Sequence, residues 1–176
     1  MPDIDWILKR RSIRKFTDQQ VSNEQVTTIL EAAMAAPSAM NLKPWKFIVV
    51  RGEEQLAELR KALPFGKIEA PCAIVVCGDL RSIKRPAMER FWEQDCSAAT
   101  QNILLATTVL GLGSVWCGVH PINMIERSVR AVLKIPSGVI PLNVIFLGYP
   151  AEEKPPRTQF SENNVFSDKF GNPRET

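Results

Sequence analysis

Four short stretches hold the residue types and spacings that can do chemistry. Arg10-Arg11-Ser12-Ile13-Arg14 puts three guanidinium groups and a hydroxyl within five positions. Guanidinium forks match phosphate oxygens in bidentate geometry, and a helix-to-loop junction would add free backbone amides. The same run would also serve as a solvated basic face. Nucleic acid is a poorer partner, because no aromatic or further basic stripe accompanies the cluster. Pro37-Ser38-Ala39-Met40-Asn41-Leu42-Lys43-Pro44-Trp45 is a loop bracketed by prolines, and its small residues let a flat ligand approach closely. Alone it reads as a helix-to-strand connection. Gly111-Leu112-Gly113-Ser114-Val115-Trp116-Cys117-Gly118 invites comparison with dinucleotide loops, but it lacks G-x-G-x-x-G between a strand and a helix. Lys154 and Arg157 lie in a proline-stiffened stretch. They could join Arg10 and Arg14 around one dianion, and a surface location suits them equally. No Ser/His/Asp set, paired-carboxylate motif or metal motif stands out.

The cysteines argue in the same direction. Cys72, Cys77, Cys96 and Cys117 form no C-x-x-C pair. Cys72 and Cys77, in one strand, would stand roughly 16 Å apart, too far for a disulfide. Four reduced and mostly buried thiols are expected, and with them a reducing compartment, the cytoplasm. His120 is the one histidine, which leaves little from which to build a zinc site.

The elements that must position these residues follow from periodicity and caps. Asp3 or Asp5 can cap a short helix carrying Ile4, Ile7 and Leu8 that runs into the basic cluster. Ser22-x-x-Gln25 is a capping box, and Val26, Ile29, Leu30 and Ala33 recur at helical spacing until Pro37 stops them. Pro44 to Arg51 reads as a buried strand, Glu53 to Leu63 as a helix, and Ala73 to Gly78 as a second strand. Phe91 to Leu112 is the longest helical stretch. Its apolar residues nearly encircle it, which makes it either the central core or a dimer seam. Gly111 and Gly113 end it, and Ser114 to Cys117 starts a short strand. Asn123-x-x-Glu126 opens another helix, and Val139 to Tyr149 forms the last strand. The 26 residues after Pro150 are polar and aperiodic, and such a tail frays unless a neighbour ties it down.

The 176 residues, 45% hydrophobic and 23% charged, suit one soluble domain over 1–176, with 151–176 as its tail. A net charge of +3 is too small to imply nucleic-acid binding by itself. The acidic start lacks the basic-then-apolar order of a signal peptide, and no apolar run approaches the ~18 residues of a membrane span. Helices and strands alternate without a βαβ rhythm, which predicts a mixed α+β sandwich.

Taken together, R-R-S-I-R-K-F, A-A-P-S-A-M-N-L-K-P-W, Q-D-C-S-A-A-T-Q-N-I-L-L-A, G-L-G-S-V-W-C-G, and I-P-L-N-V-I-F-L-G-Y-P followed by K-P-P-R resemble the nitroreductase family of flavin mononucleotide (FMN) enzymes, in order and spacing, over about residues 4 to 160. The resemblance implies an α+β fold, a mixed antiparallel-rich sheet sandwiched by helices, in an intertwined homodimer with shared flavin sites. The long helix would form the seam, and the tail would embrace the partner. Arg10, Ser12 and Arg14 would hold the FMN phosphate and ribityl chain, with Arg11 beside them through its backbone, and Arg157 and Lys154 would close on the phosphate. Pro37, Ser38, Ala39 and Asn41 would flank the flavin ring of the other subunit. Trp116, Cys117 and Gly118 would present backbone groups near the ring's N5 side. NADH or NADPH would supply hydride, and a small acceptor such as a nitroaromatic or quinone would remove it in ping-pong order. A non-catalytic flavin-binding protein, or a flavin enzyme that fragments its cofactor or oxidises a ring, is the alternative. Lys43 stands where many members have Gln, and Lys67 is the nearest candidate for the polar contact to the flavin pyrimidine. The ending, with Phe166 and Phe170 but no His or Trp, also departs from the family's usual one.

Overall fold

The computed structural model describes residues 4–64 and 68–174. Lys67 and Asp3 lie outside the described residues.

Two runs of β-branched residues make the centre of the sheet. Cys72–Asp79 (β2) and Val139–Gly148 (β4) are buried along nearly their whole length and pair antiparallel. Trp45–Val50 (β1) joins the outer side of β2, and Gly113–Gly118 (β3) joins the outer side of β4, giving the order β1-β2-β4-β3 with every pairing antiparallel. A single parallel bridge, Ser12 to Ser114, attaches the arginine-rich segment to β3. β1 is therefore an edge strand buried only at its ends, Trp45 and Val50, with Lys46 to Val49 half-buried or exposed, rather than the buried strand its composition suggests.

Helices cover both faces. Asn23–Met34 (α2) and Trp92–Val109 (α4) pack on one, with Ile29, Ala33, Cys96, Ile103 and Leu104 set against Ile74, Ile145 and Leu147. Glu53–Lys61 (α3) and Asn123–Leu133 (α5) cover the other, where Leu56, Leu59, Ile125 and Val129 meet Val75, Val144 and Phe146. Alternation along β2 and β4 thus feeds two cores, as a sheet between helix layers requires.

The predicted caps divide. Ser22 Oγ accepts the Gln25 N–H at 3.1 Å and Gln25 Oε1 accepts the Ser22 N–H at 3.0 Å, a complete capping box. Asp5 stands inside the first turn of Asp5–Lys9 (α1), whose cap position is Ile4. Glu126 makes no capping box with Asn123; its carboxylate goes to His120 Nδ1 at 2.6 Å, because the stronger partner is within reach. α4 ends with Gly111 at φ 72°, where the Leu112 N–H reaches the Thr107 carbonyl and the Gly111 N–H the Thr108 carbonyl, a Schellman closure. Gly113 has a different task. A Cβ there would sit 2.8 Å from Ile13 Cβ and Cγ2, so it lets the arginine-rich segment lie against β3.

α4 is not surrounded by its own chain. One face is buried, while Val109 is 65% exposed and an apolar groove of about 270 Å³ lies between Trp6, Ala32, Leu105, Ala106, Val109 and Leu110. Among the described residues no helix is long and apolar enough to cross a membrane.

Candidate functional site

Residues 9–15 leave α1 and run along the open edge of β3, where the Ile13 N–H donates to the Ser114 carbonyl at 3.0 Å. The tail returns beside them: the Ala151 N–H donates to the Lys15 carbonyl at 2.9 Å and the Arg157 N–H to the Leu8 carbonyl at 3.2 Å. Residues more than 140 positions apart are thereby brought around a pocket of about 300 Å³ lined by Ile7, Arg10, Arg11, Ser12, Arg14, Lys154, Arg157 and Gln159. Five of the eight are cations and none is a carboxylate. Guanidinium forks gathered in this way suit a phosphate dianion. Arg11 donates from its guanidinium to the Pro155 carbonyl, which ties the tail to this segment. Lys154 Nζ donates to the Ser12 carbonyl at 2.7 Å and pairs with Glu152 at 3.0 Å.

Arg14 also lines a second, adjoining slot of about 150 Å³ with Ile68, Val115, Trp116, Cys117 and Gly118. β3 is the last strand of the sheet, and beyond Ser114 no strand pairs with its outer edge among the described residues. Alternate backbone groups there are left to bind something else. A Cβ built on Gly118 meets nothing within 4 Å, so the slot is open above the strand end. Burial pushes the Cys117 thiol up to about 11, against the pull of nearby Arg14. Cys77 and Cys96 are pushed up to about 12 by the same cause. All four cysteines are free and buried. These are neutral packing groups at physiological pH, not thiolate nucleophiles.

Pro37, Ser38, Ala39 and Asn41 do not reach this slot within one chain. They lead into β1, at the opposite edge of the sheet from β3, three strand spacings or about 14 Å away. Their loop is tightly specified all the same. Met40, Asn41 and Lys43 hold φ of 51°, 56° and 51°, left-handed values that cost a residue with a side chain about 1 kcal/mol or more each. Ser38 Oγ accepts the Lys43 N–H at 3.0 Å, and Asp95, 7% exposed on α4, accepts the Ala39 N–H at 2.8 Å. A backbone held in such a shape is an observation that points to function.

Sequence reasoning missed three acidic sites, made by four carboxylates. Asp95 was in view within Q-D-C-S-A-A-T, where a carboxylate among small residues is the signal. Glu93 and Glu126 flank His120, at 3.3 Å from Nε2 and 2.6 Å from Nδ1, with the ring edge-on to Trp92. Nothing in their spacing reveals that cluster. Glu152, two residues before Lys154, is the third. Among the described residues no group of side chains could hold a metal ion.

The sheet-edge slot and the five-cation pocket share Arg14, an arrangement whose shape and charge suit a flat, phosphorylated ligand. A family model described as the nitroreductase family matches residues 7–64 and 65–149. A Methanothermobacter thermautotrophicus protein, provisionally named NADH dehydrogenase/NAD(P)H nitroreductase, is 45% identical over 97% of this chain and 88% of its own length. The FMN reductase [NAD(P)H] of Bacillus subtilis is 30% identical over 92% of this chain and 71% of its own. The solved structure of an FMN-dependent nitroreductase from Clostridium difficile R20291 superposes with a TM-score of 0.85 at 34% identity, spanning 95% of this chain and 99% of that one. The chain belongs to the nitroreductase family.

Proposed function

We propose that this protein is an FMN-dependent oxidoreductase that takes hydride from NADH or NADPH and passes it to a small acceptor such as a nitroaromatic or quinone. The observation that carries the reading is the five-cation pocket sharing Arg14 with the slot at the end of β3. The two cavities fit the two ends of FMN, a phosphate dianion and a flat ring. Arg10, Arg14 and Arg157 hold the phosphate, with Ser12 and Lys154 at its margin. Trp116, Cys117 and Gly118, which line the slot, would face the ring through the strand backbone. When bound, FMN supplies the acceptance and release of hydride. The protein's part is orientation, exclusion of water and a positive field, so no side chain is assigned a proton transfer.

The slot is completed by a second copy of the chain. Each monomer carries both the sheet-edge slot and, about 14 Å away across the sheet, the left-handed loop of Ser38 to Lys43, too far to close on its own slot. A partner docked on the apolar groove along α4 would bring its loop over the ring, with the tail of residues 151–174 on its surface. The free thiols and the family's chemistry suit a reducing cytoplasm.

FMN-loaded protein mixed anaerobically with NADH or NADPH should lose its visible flavin absorbance, and a small oxidant should restore it. Light scattering should give the mass of two chains with or without FMN. Protein that holds FMN but is not bleached would favour a flavin-storing role instead. Cys117→Ser should leave the rate of that bleaching within about tenfold of wild type, ~1.4 kcal/mol in barrier, since serine keeps the backbone N–H. A loss of about a thousandfold with flavin still bound, ~4 kcal/mol, would make the sulfur a participant.

A further inference from the structure

Five cations lining one pocket repel one another, so keeping them together in the free protein calls for compensating interactions. Two carboxylates, Glu152 and Glu153, line the cavity behind them, and Glu152 is the one that bonds to the arginine-rich segment. Glu152 lines the cavity on the far side of residues 11–13, next to Gly113, while Lys154 lines both that cavity and the cationic pocket. A single oxygen, Glu152 Oε1, accepts the Arg14 N–H at 2.6 Å, the Lys15 N–H at 3.3 Å and the Lys154 ammonium at 3.0 Å. Lys154 passes the tie onward by donating to the Ser12 carbonyl at 2.7 Å. The two side chains are only 20% and 25% exposed, so the pairing is shielded from salt more than a surface ion pair. The Arg14 N–H, then the Lys154 ammonium, hold the Glu152 carboxyl below the usual range, so it is ionised throughout neutral pH.

We propose that Glu152 is a positioning residue of the phosphate site: from behind the loop it fixes the backbone of Arg14 and the ammonium of Lys154, so that both cations face the pocket in the free protein. It does not touch the ligand. This role rests on the reading of that pocket as the FMN phosphate site. Its consequence is discrimination: the phosphate end of FMN depends on Glu152, and the ring end does not. Riboflavin, which has the ring and lacks the phosphate, is the control.

The test titrates full-length wild type, Glu152→Ala and Glu152→Gln with FMN and with riboflavin at one salt concentration, following flavin fluorescence. Wild type is expected to prefer FMN strongly. Glu152→Ala should bind FMN about 30-fold more weakly, the range for hydrogen bonds to a charged group, and riboflavin within about threefold of wild type. Glu152→Gln should lose about fivefold, because its amide oxygen still accepts the Arg14 N–H but no longer holds Lys154 by charge. If circular dichroism shows Glu152→Ala unfolded, the ratio measured with Glu152→Gln decides. Equal losses for both ligands would make Glu152 a general structural residue, and FMN affinity that is unchanged or raised would make it a bystander or a competitor. Either overturns the role while leaving the phosphate reading intact. A wild type that fails to discriminate FMN from riboflavin overturns the phosphate reading itself, and this role with it.

Discussion

Protein with Arg14 and Arg157 both replaced by alanine is expected to bind FMN about a hundredfold to ten-thousandfold more weakly, from ~1.5–3 kcal/mol for each charge-assisted contact. The two arginines come from opposite ends of the chain and meet in one pocket, so neither can substitute for the other. Arg14 carries the larger share, since it lines both the cradle and the ring slot, and its charge reaches Cys117. Arg157 is fixed by its own backbone bond to Leu8, so its truncation removes a side chain without releasing the tail. Fluorescence titration of the two single variants and the double gives the coupling between them. Riboflavin affinity should fall far less. A double variant that keeps FMN within about tenfold of wild type, ~1.4 kcal/mol, would move the phosphate elsewhere.

How much of this was legible before the structure depends on the range of the interactions. The capping box at Ser22, the strands around Ile74 and Val144 and the helix from Asn123 are local matters of period and cap, and they stand where the sequence places them. The order of strands was not legible, because apolar alternation does not name a neighbour, and for that reason β1 was expected to be buried. The apolar residues around α4 likewise do not say which neighbour covers them; within one chain, Val109 and Leu105 face an open groove. Arg10, Ser12, Arg14, Lys154 and Arg157 line one pocket, a meeting of chain ends that no local pattern announces. The loop at Pro37 to Asn41 stays at the far edge of the sheet, and only its left-handed backbone marks it from within the monomer. Asp95 and Glu152 escaped because each accepts a backbone N–H from a residue distant in sequence, and Glu126 because it turns to the His120 ring at a spacing that no helix or strand period marks.

Gly113→Val is the substitution expected to couple stability to cofactor binding most directly. The glycine is extended, so the cost is steric and falls on one neighbour. Its Cβ would lie 2.8 Å from Ile13 Cβ and Cγ2 and 3.0 Å from Ile13 Cγ1, and valine adds two methyl groups beyond that. β3 cannot retreat, since β4 pairs with its inner side and Ser114 Oγ meets Thr107 Oγ1 at 2.8 Å behind it. Ile13 must therefore move, and it carries Ser12 and Arg14 with it. Overpacking of this kind costs about 3 kcal/mol, which denaturant unfolding of apoprotein at fixed concentration would read as a lower midpoint with unchanged slope. FMN affinity should fall with it, because the bond from the Ile13 N–H to the Ser114 carbonyl that docks the arginine-rich segment is strained in the same step. Gly118→Ala on the same strand is the comparison: a methyl there meets nothing, so stability should stay within about 0.5 kcal/mol of wild type. If Gly113→Val loses stability but keeps full FMN affinity, then the docking of residues 12–14 on β3 does not set the cradle, and the link drawn here between fold and site is wrong.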